Sequence, residues 1–286
     1  MIMAKKLLFI ISGLLAAALL LWVYATRIEP RLLSVTYINI YSPFLGKQNA
    51  PLKIALFADI HIKSPADLDR LDKIVKKINA EKPDLVFFGG DLFDTYNIYP
   101  GSGRPADIER IIQALSKIDA SLGKYCVAGN HDYGGGANAV YKNLLEAAGF
   151  TVLANEIAVL QQAGLTITGI DDLYWASGLE GAAAAAYALP GCFNIALCHE
   201  PDMADELLDC NIDLFLAAHT HGRQINIPLL DYKILPPFGQ KYIRGIYMLD
   251  KERPMTIYVN RGLGTSQYEA RLFSIPEITV LTINAR

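Results

Sequence analysis

Five short apolar runs in this 286-residue chain pass directly into side chains that can ligate a metal. Ile54 to Ala58 leads to Asp59-Ile60-His61, and Leu85 to Phe88 leads to Gly89-Gly90-Asp91-Leu92-Phe93-Asp94. Tyr125 to Ala128 leads to Gly129-Asn130-His131-Asp132, Phe193 to Cys198 to His199-Glu200-Pro201, and Leu214 to Ala218 to His219-Thr220-His221-Gly222. In an open α/β sheet the carboxyl ends of strands converge on one crevice, so five such termini are expected to line a single site. All five histidines of the chain fall in these motifs. Residues two apart on an extended strand share a face, which lets Asp59 and His61 reach one ion and His219 and His221 one centre. Taken singly, each piece has a bland explanation: His199 as a core histidine, Asn130 as a turn residue, Asp94 as a cap. Taken together, they require five accidents at five strand ends.

The spacing between the motifs predicts βα units. One helix starts at Ser64 as N-cap with Pro65 in its first turn, and places Leu68, Leu71, Val75 and Ile78 on one face. A second starts at Pro105 with Ile108, Ile111, Ile112 and Leu115, and a third spans about Asn138 to Gly149 with Val140, Tyr141, Leu144 and Leu145 inward. A fourth follows Pro201, and the alanine run between Leu179 and Tyr187 reads as a helix of high propensity. Before the first motif, alternation from Leu33 to Tyr41 predicts a strand, and Ser42 to Pro51 a loop. The end of the chain, Tyr247 to Ile283, is strand-rich. With no repeat and no linker after Pro51, residues 52–286 read as one domain, preceded by residues 28–51 as linker and first strand.

Residues 1–27 read as a membrane anchor. The stretch Leu7 to Thr26 carries no charge, and at ~1.5 Å per residue it forms a helix of roughly 30 Å, the thickness of a bilayer's hydrocarbon. Trp22 and Tyr24 lie at its far end, where amphipathic rings favour the headgroup zone. A cleaved signal sequence is the rival reading, but the stretch exceeds the usual signal core and lacks a clear cleavage site. Lys5 and Lys6 nearly balance Arg27 and Arg31, and the small excess points to the bulk of the chain outside the cytoplasm. Cys126, Cys192, Cys198 and Cys210 show no C-x-x-C spacing and read as buried free thiols, which favours a reducing compartment and opposes that orientation. The formal charge is −3 at pH 7. It becomes more negative without Lys5, Lys6 and Arg27, so no nucleic-acid partner is expected.

Asp59, Asp91, His61, His199, His219, His221 and the Asn130 amide form a mixed nitrogen and oxygen donor set, suited to Mn, Fe or Zn. The donors exceed what one ion takes. Two divalent ions about 3.5–4 Å apart, sharing one carboxylate, fit better and would activate water while neutralising a phosphoryl group.

Residue for residue, D-x-H, G-D-x-x-D, G-N-H-D, H and H-x-H from Asp59 to His221 resemble the signature of the calcineurin-like metallophosphoesterase superfamily. His199-Glu200-Pro201-Asp202, Gly169-Ile170-Asp171-Asp172 and Asn260-Arg261-Gly262-Leu263-Gly264-Thr265 are similar to its membrane-anchored bacterial branch. The resemblance implies a four-layer α/β/β/α sandwich with a dinuclear centre between two sheets, and a phosphoesterase acting on a phosphoester or pyrophosphate of a small or lipid-linked substrate. It implies that Asp59, His61, Asp91 and His221 hold one ion and Asp91, Asn130, His199 and His219 the other. His131 would protonate the leaving group, with Asp94 orienting or tuning it. Arg223 and Arg261 become candidate phosphate contacts, each with a structural role as the alternative. Thr95 after Asp94 departs from the arginine of the protein-phosphatase branch, and Ala218 replaces a common glycine. The alternatives from other classes are a catalytically silent metal-binding module docking a partner at the membrane, and a single-iron oxygenase using three ligands.

Overall fold

A computed structural model of the chain describes residues 2–96, 105–176, 180–185, 187–228, 235–250 and 252–286. Helix α1 (Ile2–Val23) precedes strands β1 (Ser34–Ser42) and β2 (Leu52–Phe57). Then come α2 (Pro65–Ala80), β3 (Leu85–Phe88), α3 (Pro105–Leu115), β4 (Lys124–Cys126), α4 (Asn130–Gly134) and α5 (Asn138–Ala147). The second half holds β5 (Thr151–Val152), β6 (Glu156–Leu160), β7 (Leu165–Gly169), α6 (Gly181–Ala185), β8 (Phe193–Leu197) and β9 (Leu214–Ala217). It ends in β10 (Gly245–Leu249), β11 (Met255–Val259) and β12 (Glu277–Ala285).

These strands form two six-stranded sheets, ordered β1-β12-β2-β3-β4-β5 and β10-β11-β9-β8-β7-β6. Side chains alternate across each strand, so β2 sends Ile54 and Leu56 towards the second sheet and Ala55 and Phe57 towards the helices. Between the sheets Leu85, Phe87, Ile167, Ile195, Leu197, Leu214 and Leu216 make an apolar layer. Outside the first sheet, α2, α3 and α5 lay down Leu71, Ile74, Ile111, Leu115, Tyr141, Leu144 and Leu145, and outside the second sit Ala185, Met203, Ala204 and Leu207. This is the expected four-layer sandwich. Burial of each large aliphatic or aromatic side chain contributes about 1.5–3 kcal/mol.

The helix predicted at Ser64 begins with Asp67 capping the Ser64 amide at 2.9 Å. The segment after Pro201 winds as 3-10 turns, Pro201–Leu207, and the Asp202 carboxylate accepts the amides of Gln240, Lys241 and Tyr242. Of the predicted alanine-rich helix, Gly181–Ala185 is helical, while Leu179 and Ala186 lie outside the described residues. Cys126, Cys192, Cys198 and Cys210 are all free, the first and third buried and the other two half-buried.

Helix α1 has no buried residue, and the helical run Ile2–Arg31 that it opens, with an 18-residue stretch of mean hydropathy 2.5, is long and apolar enough to cross a membrane. Its continuation turns into the globular part. Ala25 and Glu29 are buried, and the Glu29 carboxylate accepts the amides of Phe273 at 2.9 Å and Ser274 at 2.6 Å. The Arg271 amide donates to Ala25 O at 2.9 Å, and Arg70 and Lys77 on α2 each donate, at 3.0 Å, to the carbonyls of Leu32 and Leu33. From Ser34 to Ser42, β1 then runs parallel to β12 in the first sheet.

Candidate metal centre

The carboxyl ends of β2, β3 and β4 in one sheet and of β8 and β9 in the other open on one crevice, and all seven predicted ligands lie within four residues of those ends. What turns their side chains inward differs from the expected alternation. Strand β2 stops at Phe57 and β9 at Ala217, and Asp59, His61, Asp91, His219 and His221 all adopt left-handed backbone, with φ of 50°, 48°, 57°, 70° and 50°. His219 and His221 therefore do not share a strand face: His221 gathers with Asp59 and His61, and His219 with His199. Left-handed backbone at a residue with a Cβ is sparsely populated, costs about 1–3 kcal/mol, and persists where surrounding contacts impose it, typically at functional sites.

The tight turns need close backbone approach. Gly90, at φ 93°, passes so near the next loop that a Cβ would stand 2.7 Å from Gly129 N, and a Cβ on Gly262 would collide with the Asp59 carboxylate.

Three imidazoles have their outward nitrogens engaged by acceptors. His199 Nδ1 donates to Gly89 O at 2.7 Å, His219 Nε2 to Pro237 O at 3.1 Å, and His61 Nδ1 to the Asp94 carboxylate at 3.1 Å. Each bond directs the other ring nitrogen, a lone pair, towards the centre. There, His61 Nε2 lies 3.4 Å from Asp91 Oδ2 and 3.1 Å from His221 Nε2. His199 Nε2 lies 3.2 Å from Asp91 Oδ2 and 3.8 Å from Asp59 Oδ1, so Asp91 stands between the two groups of donors.

These residues fit divalent cations. Asp59 Oδ2, Asn130 Oδ1 and His199 Nε2 are buried and have no hydrogen-bond partner, and buried polar atoms are rarely left so. The electrostatics have the same sense. Burial pushes the Asp59 carboxyl up to about 6, against the pull of the His199 imidazole. Burial would also raise Asp91, but His199 and His61 hold it well below the usual carboxylate range. His199 is drawn well above the ordinary histidine value by Asp91 despite its burial, while burial and neighbouring cationic groups push His219 down to about 3 and hold His221 well below a free imidazole. Burial thus keeps the His219 and His221 imidazoles neutral, as ligation requires.

Beside the ligands, the His131 amide donates to Asp91 Oδ1 at 2.9 Å, and its Nδ1 donates to the backbone carbonyl of Asp94 at 2.7 Å. That leaves Nε2 facing the crevice, 3.4 Å from Ser266 Oγ. The Asp94 carboxylate, expected to orient or tune His131, lies 4.0 Å from His131 Nδ1, hydrogen-bonds His61 Nδ1 at 3.1 Å and lies 3.7 Å from Lys63 Nζ. Arg261 is not brought to the centre, because its guanidinium is spent on Glu277 at 2.5 Å and Thr36 at 3.2 Å. Arg223 sits half-buried two residues past His221, at φ 71°.

Two residues of the site received no role from the motif reading, although Asp132 stands inside a motif. Asp132 is buried, and its carboxylate accepts the amides of Asp91, Leu92, Phe93 and Gly129, cinching the loop after β3 to the loop after β4. Its place three residues after Gly129, the spacing of a capping box, is the signal that could have found it. Arg271 is fully buried, donates to the carbonyls of Arg261, Gly264 and Ser274, and lies 3.1 Å from His221 Nδ1. No pattern around it in the sequence announces that contact.

The sequence model of the calcineurin-like phosphoesterase family matches residues 52–223. Among curated proteins, the chain is 36% identical to the metallophosphoesterase YkuE of Bacillus subtilis, covering 92% of this chain and 89% of that one. It is 30% identical to the phosphodiesterase YaeI of Escherichia coli, over 84% and 85% of the two chains. It is 26% identical to the UDP-2,3-diacylglucosamine pyrophosphatase LpxG of Chlamydia trachomatis, over 95% of each.

Proposed function

The chain belongs to the calcineurin-like phosphoesterase family and is a hydrolase acting on phosphoester bonds, and from that premise we propose a membrane-anchored enzyme that cleaves a phosphoester or pyrophosphate bond in a lipid-linked substrate. The observation that carries the metal part of the reading is the convergence of three unpartnered buried donors, Asp59 Oδ2, Asn130 Oδ1 and His199 Nε2, on one crevice. In this reading Asp59, His61, Asp91 and His221 hold one divalent ion, and Asp91, Asn130, His199 and His219 the other. The nitrogen and oxygen donors favour Mn, Fe or Zn. Bound divalent ions supply Lewis acidity towards phosphoryl oxygens and lower the pKa of water beside phosphorus.

The remaining work falls to the chain. Asp91, 3.4 Å from His61 Nε2 and 3.2 Å from His199 Nε2, bridges the two halves of the donor set. Asp94 fixes the ring plane of His61, and Asp132 fixes the backbone on which Asp91 and His131 stand. His131, with Nδ1 held on Asp94 O, has Nε2 free to carry a proton. It passes that proton to the leaving oxygen as the bond to phosphorus breaks.

The lipid part of the reading is supported by α1 and by the diacylglucosamine-linked activity of the LpxG relative. The flanking charges favour an extracytoplasmic site. The test is a panel of a phosphomonoester, a phosphodiester and a nucleoside-diphosphate-linked lipid in vesicles, given to the manganese-loaded full chain. Turnover of the lipid is expected; turnover of the water-soluble esters alone removes the lipid-linked substrate, and turnover of none removes the enzyme.

A further inference from the structure

A cavity of about 470 Å³ lies between the base of α1 and the metal centre. Thr26, Pro30 and Arg31 form its membrane-proximal wall, Arg70 and Lys73 of α2 a second wall, and His61 lies at its inner end. Its charges are unequally satisfied. The Asp67 carboxylate takes the amides of Lys63 and Ser64, Asp69 pairs with Arg110, and Glu269 pairs with Lys63. Arg31, Arg70 and Lys73 have no carboxylate within ion-pair distance among the described residues. Arg70 spends one Nη2 bond on Leu32 O, and its Nε is buried with no partner at all. Lys63 is paired, and Arg31 and Arg70 each donate once to a backbone carbonyl, of Arg27 and Leu32. But a cavity whose acids are engaged while Arg31, Arg70 and Lys73 face no carboxylate suits an anion with several oxygens, and a guanidinium favours phosphate above others.

We propose that this cleft is a second subsite, which holds the phosphorylated headgroup of a membrane lipid while its acyl chains stay in the bilayer beside α1. The proposal rests on the membrane-anchored phosphoesterase reading and deepens it. The cleft gives such a substrate a charged path from the bilayer surface to His61, and Arg31, Arg70 and Lys73 are its anion contacts.

The test uses the manganese-loaded full chain in detergent micelles, titrated calorimetrically with dihexanoyl phosphatidic acid. Wild-type protein is expected to take up one equivalent more than the Arg70→Gln/Lys73→Gln double variant. That difference reports the cleft, and the equivalent surviving in the variant reports the metal centre, so the two readings fail separately. Equal uptake by both chains overturns the cleft. Because Arg70 also holds Leu32 O, Lys73→Gln alone, an exposed position without such a contact, is titrated too, and an affinity at least threefold weaker at the cleft is expected. An unchanged affinity there also counts against the proposal. Inorganic phosphate in a parallel titration identifies the source: a second-site affinity at least tenfold weaker than for the lipid supports headgroup binding, and equal affinity overturns that assignment in favour of free phosphate.

Discussion

At Asp132 one carboxylate receives four backbone amides, and three of them belong to Asp91, Leu92 and Phe93 on a different loop. Replacing an oxygen by an amide nitrogen there sets a donor against donors. Asp132→Asn is therefore expected to weaken metal binding by about 10- to 100-fold, as loss of a supporting contact to a ligand does, measured by competition with a chelator. His131→Ala separates catalysis from binding: turnover should fall by roughly 10²- to 10⁴-fold while the metal content stays at the wild-type value. A metal-binding module without catalytic function would show no change in either. The ligands themselves were legible because histidine, aspartate and asparagine at strand ends carry their chemistry in their identity. The left-handed φ at Asp59, His61, Asp91, His219 and His221 was not, because these residue types do not require it. Arg271 was not legible either, since its contact with His221 joins residues fifty positions apart with no shared motif.

Among elements, the least expected joint is the one between α1 and the segment 271–274. Glu29 caps the amides of Phe273 and Ser274, Ser274 Oγ donates to His221 O at 2.7 Å, and Arg271 reaches both Ala25 O, through its amide, and His221 Nδ1. The end of α1 is thus two hydrogen bonds from a predicted ligand, and we propose that the folded unit starts at about residue 24 rather than at 52. A chain beginning at Tyr24 should melt as the full chain does. One beginning at Leu33 loses the buried Glu29 cap, worth about 3 kcal/mol for two bonds to a charged acceptor, and should melt roughly 5–10 °C lower by differential scanning calorimetry. The strands and the helices at Ser64, Pro105 and Asn138 were readable from period and caps. The role of Glu29 was not, because an acid just past an apolar stretch ordinarily faces water.

Over the whole molecule, the donors are divided between the sheets: Asp59, His61, Asp91 and Asn130 follow strands of the first, His199, His219 and His221 strands of the second. Ions held between them would join two layers that otherwise meet through apolar packing and a few hydrogen bonds, such as His199 Nδ1 to Gly89 O and Tyr258 OH to Glu277. Chelation is expected to lower the melting temperature by about 5–10 °C, since saturation at 100 times Kd contributes about 2.7 kcal/mol, and added manganese should restore it. The number of layers and the single site could be argued from the sequence. The strand order could not, because β12, from the far end of the chain, inserts between β1 and β2, and pairing over more than 200 residues leaves no local trace. On the membrane-anchored reading, the grip of Glu29, Arg70 and Lys77 on the stretch leaving α1 has a kinetic meaning. A catalyst moored by so short and stiff a leash meets only molecules drifting past in its own leaflet. Its speed then follows how crowded that leaflet is with substrate, and diluting the vesicle suspension leaves it untouched.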